Sequence, residues 1–226
     1  MLYNESYKLI IGKGRCAIYL YKVRRILERG EVEMNDYRAE YSAIQKYFSS
    51  LGAEAELIKE IEKIVVFKKY AAGEMLLKAG ERTDYICLVI KGIVRGYYID
   101  QNGNEITKCF SKENDWCCSY SYLTDAESSF YIETLEETTL ARLDITKTKD
   151  IMKKYPEMRE MVERLLYRTI MESEKRVLSF AGMEARERYL SLLNENPEIV
   201  KRAKQEQIAS YLGITPSSLS RIKKSL

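Results

Sequence analysis

The sequence predicts an α+β protein: an N-terminal antiparallel β-roll of jelly-roll type, one long helix, then a small helix-turn-helix domain. Three observations predict it. Short β-rich runs separated by turn residues fill residues 64–143. From Thr146 the apolar spacing switches to the 3.6-residue period of a helix and holds to Phe180. Residues 204–224 then carry two short helical patterns around Gly213, with Thr215 and Pro216 opening the second. A length of 226 residues suits one large or two small domains, and 46% hydrophobic residues supply a core.

Taken in order, residues 1–33 announce no domain and carry a net charge of +3. A short basic helix over 16–27 is compatible with Val23, Ile26 and Leu27 on one side. We read 1–33 as an N-terminal extension and expect the working domain to open at Met34. There Tyr37, Tyr41, Ile44, Tyr47 and Phe48 share a helical face. Strands are expected over 65–67, 75–77, 86–90, 93–99, 105–110, 130–135 and 139–143. Asn102-Gly103 sits between two of them and predicts a hairpin with a type I′ turn, whose positive φ angles Asn and Gly tolerate. The spacing of the strands fits an antiparallel sandwich or jelly roll, placed at 34–150.

A long helix is expected over 151–181, with Pro156 near its start, where the missing N–H costs little. Its stripe of Met158, Val162, Leu165, Thr169, Ser173 and Val177 is too long for the edge of a small β-domain and predicts pairing with its twin in a homodimer. Packing against its own domain is the alternative. Ala181-Gly182 marks a hinge or a helix end, and helices over 184–193, 204–212 and 216–224 complete a terminal domain at 182–226.

Composition narrows the chemistry. The chain has no histidine, which removes imidazole general acid/base chemistry, histidine-ligated zinc or haem, and pH sensing by imidazole. The five cysteines show no CxxC and no zinc-like spacing, so neither a metal, a cofactor nor a disulfide framework is expected. An enzyme working through Asp115, Asp125 and Glu127 is disfavoured, since these carboxylates share one acidic loop. No apolar run reaches ~18 residues, so no membrane span is expected and a cytoplasmic location fits. Residues 201–226 carry six basic side chains against one acidic, a net +5 that suits a polyanion.

That charge has a scaffold. Ile208, Ala209, Leu212, Ile214, Leu219 and Ile222 are the buried positions of two short helices crossing at a tight turn. Gly213 supplies the left-handed turn residue and Thr215 the N-cap. Lys204, Gln205, Thr215, Ser217, Ser218, Ser220, Arg221, Lys223 and Lys224 remain outside, the face that a helix-turn-helix offers to the major groove of double-stranded DNA. With Leu226 directly after the second helix and no β-wing expected, Lys204, Gln205, Lys223 and Lys224 are expected to make the backbone contacts. The alternative is a small-molecule-binding signalling module whose basic tail binds a protein partner.

In this order, roll, long helix, hinge and the tail IASYLGITPSSLSRIKK, the chain resembles the Crp/Fnr family of bacterial transcription regulators over 34–226. The tail is similar to Bacteroidetes-type members, and the Gly73, Gly80 and Gly92 turns add to the resemblance. It implies a homodimer presenting two recognition helices to a palindromic operator, with RNA polymerase and a small-molecule effector as further partners. By position Arg221 matches the family's base-reading arginine. Ser217 stands where many members carry an acidic reader, and Pro216 where many carry another arginine. The family's cyclic-nucleotide cassette, Gly-Glu followed about ten residues on by Arg-Ser/Thr-Ala, is not kept. Cys118-Ser119 and Ser128-Ser129 fall at those places, and a buried phosphate needs the arginine for bidentate, charge-assisted bonds. Cyclic AMP is therefore not the expected effector, and these four residues are the candidate pocket for a different one; the alternative is no ligand at all, with the roll as a structural dimer platform. Cys117-Cys118 invites a redox reading, but adjacent cysteines form strained disulfides and buried thiols usually pack.

Overall fold

The computed structural model describes residues 37–117 and 126–226. It divides into two compact units, Met1–Ser42 and Ala43–Leu226. Of the first, only a turn at Tyr37 and the opening of a helix are described, with the Tyr41 N–H donating to the Tyr37 carbonyl at 2.9 Å. The proposed extension 1–33, with its basic helix, and the domain start at Met34 lie outside the described residues.

Helix α1 (Arg38–Ser50) crosses into the second unit, where Ile44 and Phe48 are buried. Helix α2 (Ala55–Ile64) follows, burying Leu57, Ile58 and Ile61. Eight strands come next: β1 (Val65–Tyr70), β2 (Met75–Leu77), β3 (Tyr85–Lys91), β4 (Val94–Ile99), β5 (Glu105–Ser111), β6 (Trp116–Cys117), β7 (Tyr131–Thr134) and β8 (Thr138–Asp144). They form two four-stranded antiparallel sheets, ordered β1-β8-β3-β6 and β2-β7-β4-β5. This is the expected β-roll. Its core is Leu77, Val89, Val94, Cys117, Phe130, Ile132 and Leu140, one cluster between the sheets. Strand alternation sends their neighbours outward. On β3, Val89 faces in, whereas Ile86 and Leu88 face out towards the helices.

Two turns show why the chain bends where it does. At Gly92, φ is 104° and an added Cβ would lie 2.8 Å from the Thr138 Cα, so only glycine fits between β3 and β4. The hairpin between β4 and β5 differs from expectation. It is a five-residue connection in which the Gly103 N–H donates to the Asp100 carbonyl at 3.0 Å, and Asn102 does not have positive φ. The Asp100 carboxylate accepts from the N–H groups of Asn102 and Asn104, both at 2.8 Å, and this side-chain closure replaces the type I′ turn.

Beyond the roll, α3 (Ile145–Lys154) is capped by Asp144, whose carboxylate accepts from the Lys147 N–H at 2.9 Å. The long helix α4 (Pro156–Gly182) has 27 residues. The single helix expected over 151–181 is thus two. Proline disfavours helical ψ in the residue before it, and Tyr155 sits at φ −120°, ψ 100°, breaking the chain there. α4 runs through Gly182 and ends at Met183, whose N–H donates to the Ser179 carbonyl. Helices α5 (Ala185–Glu195), α6 (Pro197–Arg202), α7 (Gln205–Tyr211) and α8 (Pro216–Lys224) complete the fold. Helix α6 was not anticipated from the sequence.

The expected dimer face on α4 needs correction. Met158 is 2% exposed, buried by its own chain, and Val162 and Leu165 line a cavity against α1 and α3. The Thr169 hydroxyl donates back to the Leu165 carbonyl, and that of Ser173 to Thr169. Of the six residues, only Val177 is an exposed apolar side chain. The exposed stripe is instead Tyr167, Ile170, Met171, Val177 and Leu178. An apolar period reports burial without saying what does the burying, and the first half of α4 is consumed by the roll's own helices.

Candidate nucleic-acid interface

Helices α7 and α8 are held by one small core. Tyr189 and Leu192 of α5 pack with Ile208, Ala209, Leu212 and Leu219, and Ile214 and Ile222 lie against them. The turn between the helices rests on Gly213, at φ 67°. There the Gly213 N–H donates to the Ser210 carbonyl and the Ile214 N–H to the Ala209 carbonyl. An added Cβ at Gly213 would also meet the Phe180 ring at 2.7 Å, so the end of α4 packs directly on this turn. Thr215 caps α8, its hydroxyl accepting from the Ser218 N–H at 3.2 Å, with Pro216 in the first turn.

With its apolar side spent on that core, α8 presents a polar one. Ser217, Arg221 and Lys224 are exposed, while Ser218, Ser220 and Lys223 are half-buried. Arg221 donates to the Ser218 hydroxyl at 3.2 Å, and Lys223 lies 5.9 Å from the centre of the Tyr189 ring. On α7, Gln205 reaches across to the Pro216 carbonyl at 3.0 Å, tying the two helices together. Lys204, just before α7, is exposed. The nine expected DNA-facing residues therefore sit on or beside one pair of crossed helices.

Several side chains anchoring this pair were missed in the sequence. The Ser210 hydroxyl donates to the Glu105 carbonyl at 2.7 Å and accepts from the Thr107 N–H at 2.9 Å, both on β5 at the edge of its sheet. Arg176 of α4 donates to the carbonyls of Thr107 and Tyr211, and its guanidinium lies 4.0 Å from the Tyr211 ring centre. Arg202 makes a two-pronged contact with Glu113, at 3.0 and 2.8 Å, and also bonds Glu136. Burial would raise the Glu113 carboxyl, but hydrogen bonds from Arg202 and the Gly92 N–H overcome it and hold the group down to about 2. No local motif marks these residues, because each works through a partner at least 30 positions away.

The candidate effector pocket fares differently. Cys118 and Ser119 lie outside the described residues, as does Asp125. Ser128 is buried, but its hydroxyl donates to the Phe130 carbonyl at 2.8 Å and its N–H to the Glu81 carbonyl. It therefore shapes the turn and offers no free donor to a ligand. Ser129 is exposed. Among the described residues the one buried charged side chain is Arg95, and it bonds Glu105, Glu133 and Thr107. The described residues thus do not fit a buried cyclic phosphate. Cys117 faces Cys87 across the sheet, and the hydrogen bond from Cys117 holds the Cys87 thiol below its usual value. Among the described residues no cluster of three or more acidic or cysteine side chains could hold a metal, and no helix is long and apolar enough to cross a membrane.

Comparison with known proteins supplies a domain match and distant relatives. Residues 67–155 match the model of the cyclic nucleotide-binding domain. The fumarate and nitrate reduction regulatory protein of Vibrio cholerae is 23% identical over 181 residues, covering 75% of this chain and 72% of its own. The chain thus carries a cyclic nucleotide-binding domain and is similar along most of its length to this regulatory protein. Its fold is similar to that of FixK2 from Bradyrhizobium japonicum, with a TM-score of 0.63 at 18% identity over 72% of this chain and 84% of that one. It is also similar to a Crp/Fnr-family transcriptional regulator of Eubacterium rectale, with a TM-score of 0.62 at 19% identity over 77% and 83% of the two chains.

Proposed function

We propose that this chain is a Crp/Fnr-type, sequence-specific DNA-binding transcription regulator that acts as a homodimer on a palindromic operator. The observation that carries the reading is the pair α7 and α8. Their apolar residues are spent on one core, and Ser217, Arg221 and Lys224 stand exposed on the second helix. Such a helix enters the major groove with its first residues against base edges, while lysines meet phosphates. The exposed stripe on α4 supports the dimer, since two copies brought together there carry two recognition helices. In this reading the roll, 34–150, senses, α4 dimerises and 182–226 reads DNA in the cytoplasm. RNA polymerase is the further partner the reading carries. Cyclic AMP is not its effector in this reading: the roll either takes another small molecule or serves as a structural dimer platform.

The test is operator selection from random duplexes, followed by titration at several salt concentrations. The expected outcome is a palindromic consensus whose affinity falls steeply with salt. Arg221→Ala should cost about 1–3 kcal/mol and relax preference at one position per half-site. Equal weakening on every sequence would remove Arg221 from base reading. Equal affinity for operator and random fragments would return the basic tail to a protein partner.

A further inference from the structure

A cavity of about 350 Å³ lies outside the roll, and the function above leaves it unused. Strand alternation places it. Ile86 and Trp116, which line it, are on the outer face of their sheet, whereas Cys87, Val89 and Cys117 face the interior of the roll. Tyr47 and Phe48 of α1 close one side, and Met152 of α3 with Met158 and Met161 of α4 close the other. Polar groups of the lining already have partners: the Trp116 ring N–H donates to the Tyr47 hydroxyl at 2.7 Å, the Thr148 hydroxyl to the Asp144 carbonyl and the Ser50 hydroxyl to the Tyr47 carbonyl. The mouth is cationic, with Lys149, Arg164 and Arg168 lining it. Arg168 has Glu172 at 3.6 Å and Asp115 at 3.9 Å. Among the described residues, Lys149 and Arg164 are exposed and have no ion-pair partner.

An apolar interior with two uncommitted cations at its entrance is complementary to an anionic amphiphile. We infer that this cavity binds a medium-chain carboxylate, its tail among the three methionines and its head group at Lys149 and Arg164. The volume falls within the range of small-molecule sites. A methylene displaces about as much volume as a water, roughly 30 Å³, so the space suits a chain of about ten to twelve carbons. Unbranched, polarisable methionines conform to such a chain better than branched side chains do. The cavity joins α3 to the first half of α4, so the ligand touches the helix that carries the exposed stripe. DNA binding enters neither this argument nor its readout.

Trp116 is the only tryptophan in the sequence and lines the cavity, so its emission reports on this place alone. The full chain is titrated with dodecanoate below its micellar concentration, by calorimetry for affinity and by fluorescence for location. One saturable site with a matching change in Trp116 emission is expected, together with markedly weaker binding of dodecyltrimethylammonium. The double variant Lys149→Glu/Arg164→Glu, with its fold checked by circular dichroism, should bind dodecanoate roughly ten-fold more weakly. It should bind dodecanol as the parent does. No saturable site, heat without a Trp116 response, equal binding of the cationic chain, or an unchanged dodecanoate affinity in the double variant would each overturn the inference.

Discussion

At the scale of single residues, Gly213 carries two demands at once. Its left-handed φ disfavours any side chain, and the space a Cβ needs is held by Phe180. Gly103 has a similar φ of 82°, yet nothing lies within 4 Å of its added Cβ. The pair therefore separates backbone strain from collision. Gly103→Ala should lower stability by about 1 kcal/mol, and Gly213→Ala by about 2–4 kcal/mol, read as shifts in urea midpoint. Equal losses would show that Phe180 moves aside freely. The turn role of Gly213 was legible in the sequence, as were Thr215 and Pro216, because each acts on its immediate neighbours. The contact with Phe180, the commitment of Ser128 to Phe130 and the buried Arg95 were not, because they depend on segments that meet only after folding.

At the scale of elements, α4 has two halves with different duties. Met158 and Met161 belong to the protomer's interior, and Ile170, Met171, Val177 and Leu178 stand bare. Ile170→Glu with Val177→Glu should leave the monomer folded and shift the mass in light scattering from dimer to monomer. Met158→Glu should instead unfold the chain, since it buries a charge without a partner. A monomer already present before substitution would remove the dimer. The strands were legible because alternation and turn residues coincide, and α8 because cap and proline mark its first turn. Three elements escaped. β6 has two residues, too short for any period to register, α6 hides behind Asn196-Pro197, which reads as a loop, and α2 has ten residues with only the short stripe Leu57, Ile58 and Ile61 buried. The separation of α3 from α4 was available in Pro156, but the apolar pattern runs across it and masks the break.

At the scale of the whole molecule, the helical unit 182–226 is fastened to the roll by Ser210 and Arg202, and to α4 by Arg176. The Arg202 fastening is pH-dependent. Glu113 is held near 2, below the ordinary 4.5 of a glutamate, so its ion pair contributes fully above about pH 4.5 and is lost as pH falls towards 2. Its side chain is about a third exposed, at 35%, so solvent screens the pair and the effect should be modest. Glu113→Gln should lower the thermal midpoint at pH 6 and flatten its fall between pH 5 and 3, with acid denaturation of the parent as the reference. Parallel curves for the two proteins would take the fastening out of acid sensitivity.

Ser210 has a consequence for solubility. β5 ends its sheet, and the Glu105 carbonyl and Thr107 N–H would face water there as an open template for another strand. The Ser210 hydroxyl of α7 takes both groups and the Arg176 guanidinium of α4 takes the Thr107 carbonyl, so the helical unit 182–226 is also, with α4, the lid on a sticky sheet edge. Any movement that frees the unit bares that edge. Release therefore carries a risk of strand-to-strand aggregation, unless operator or partner covers β5 in its turn.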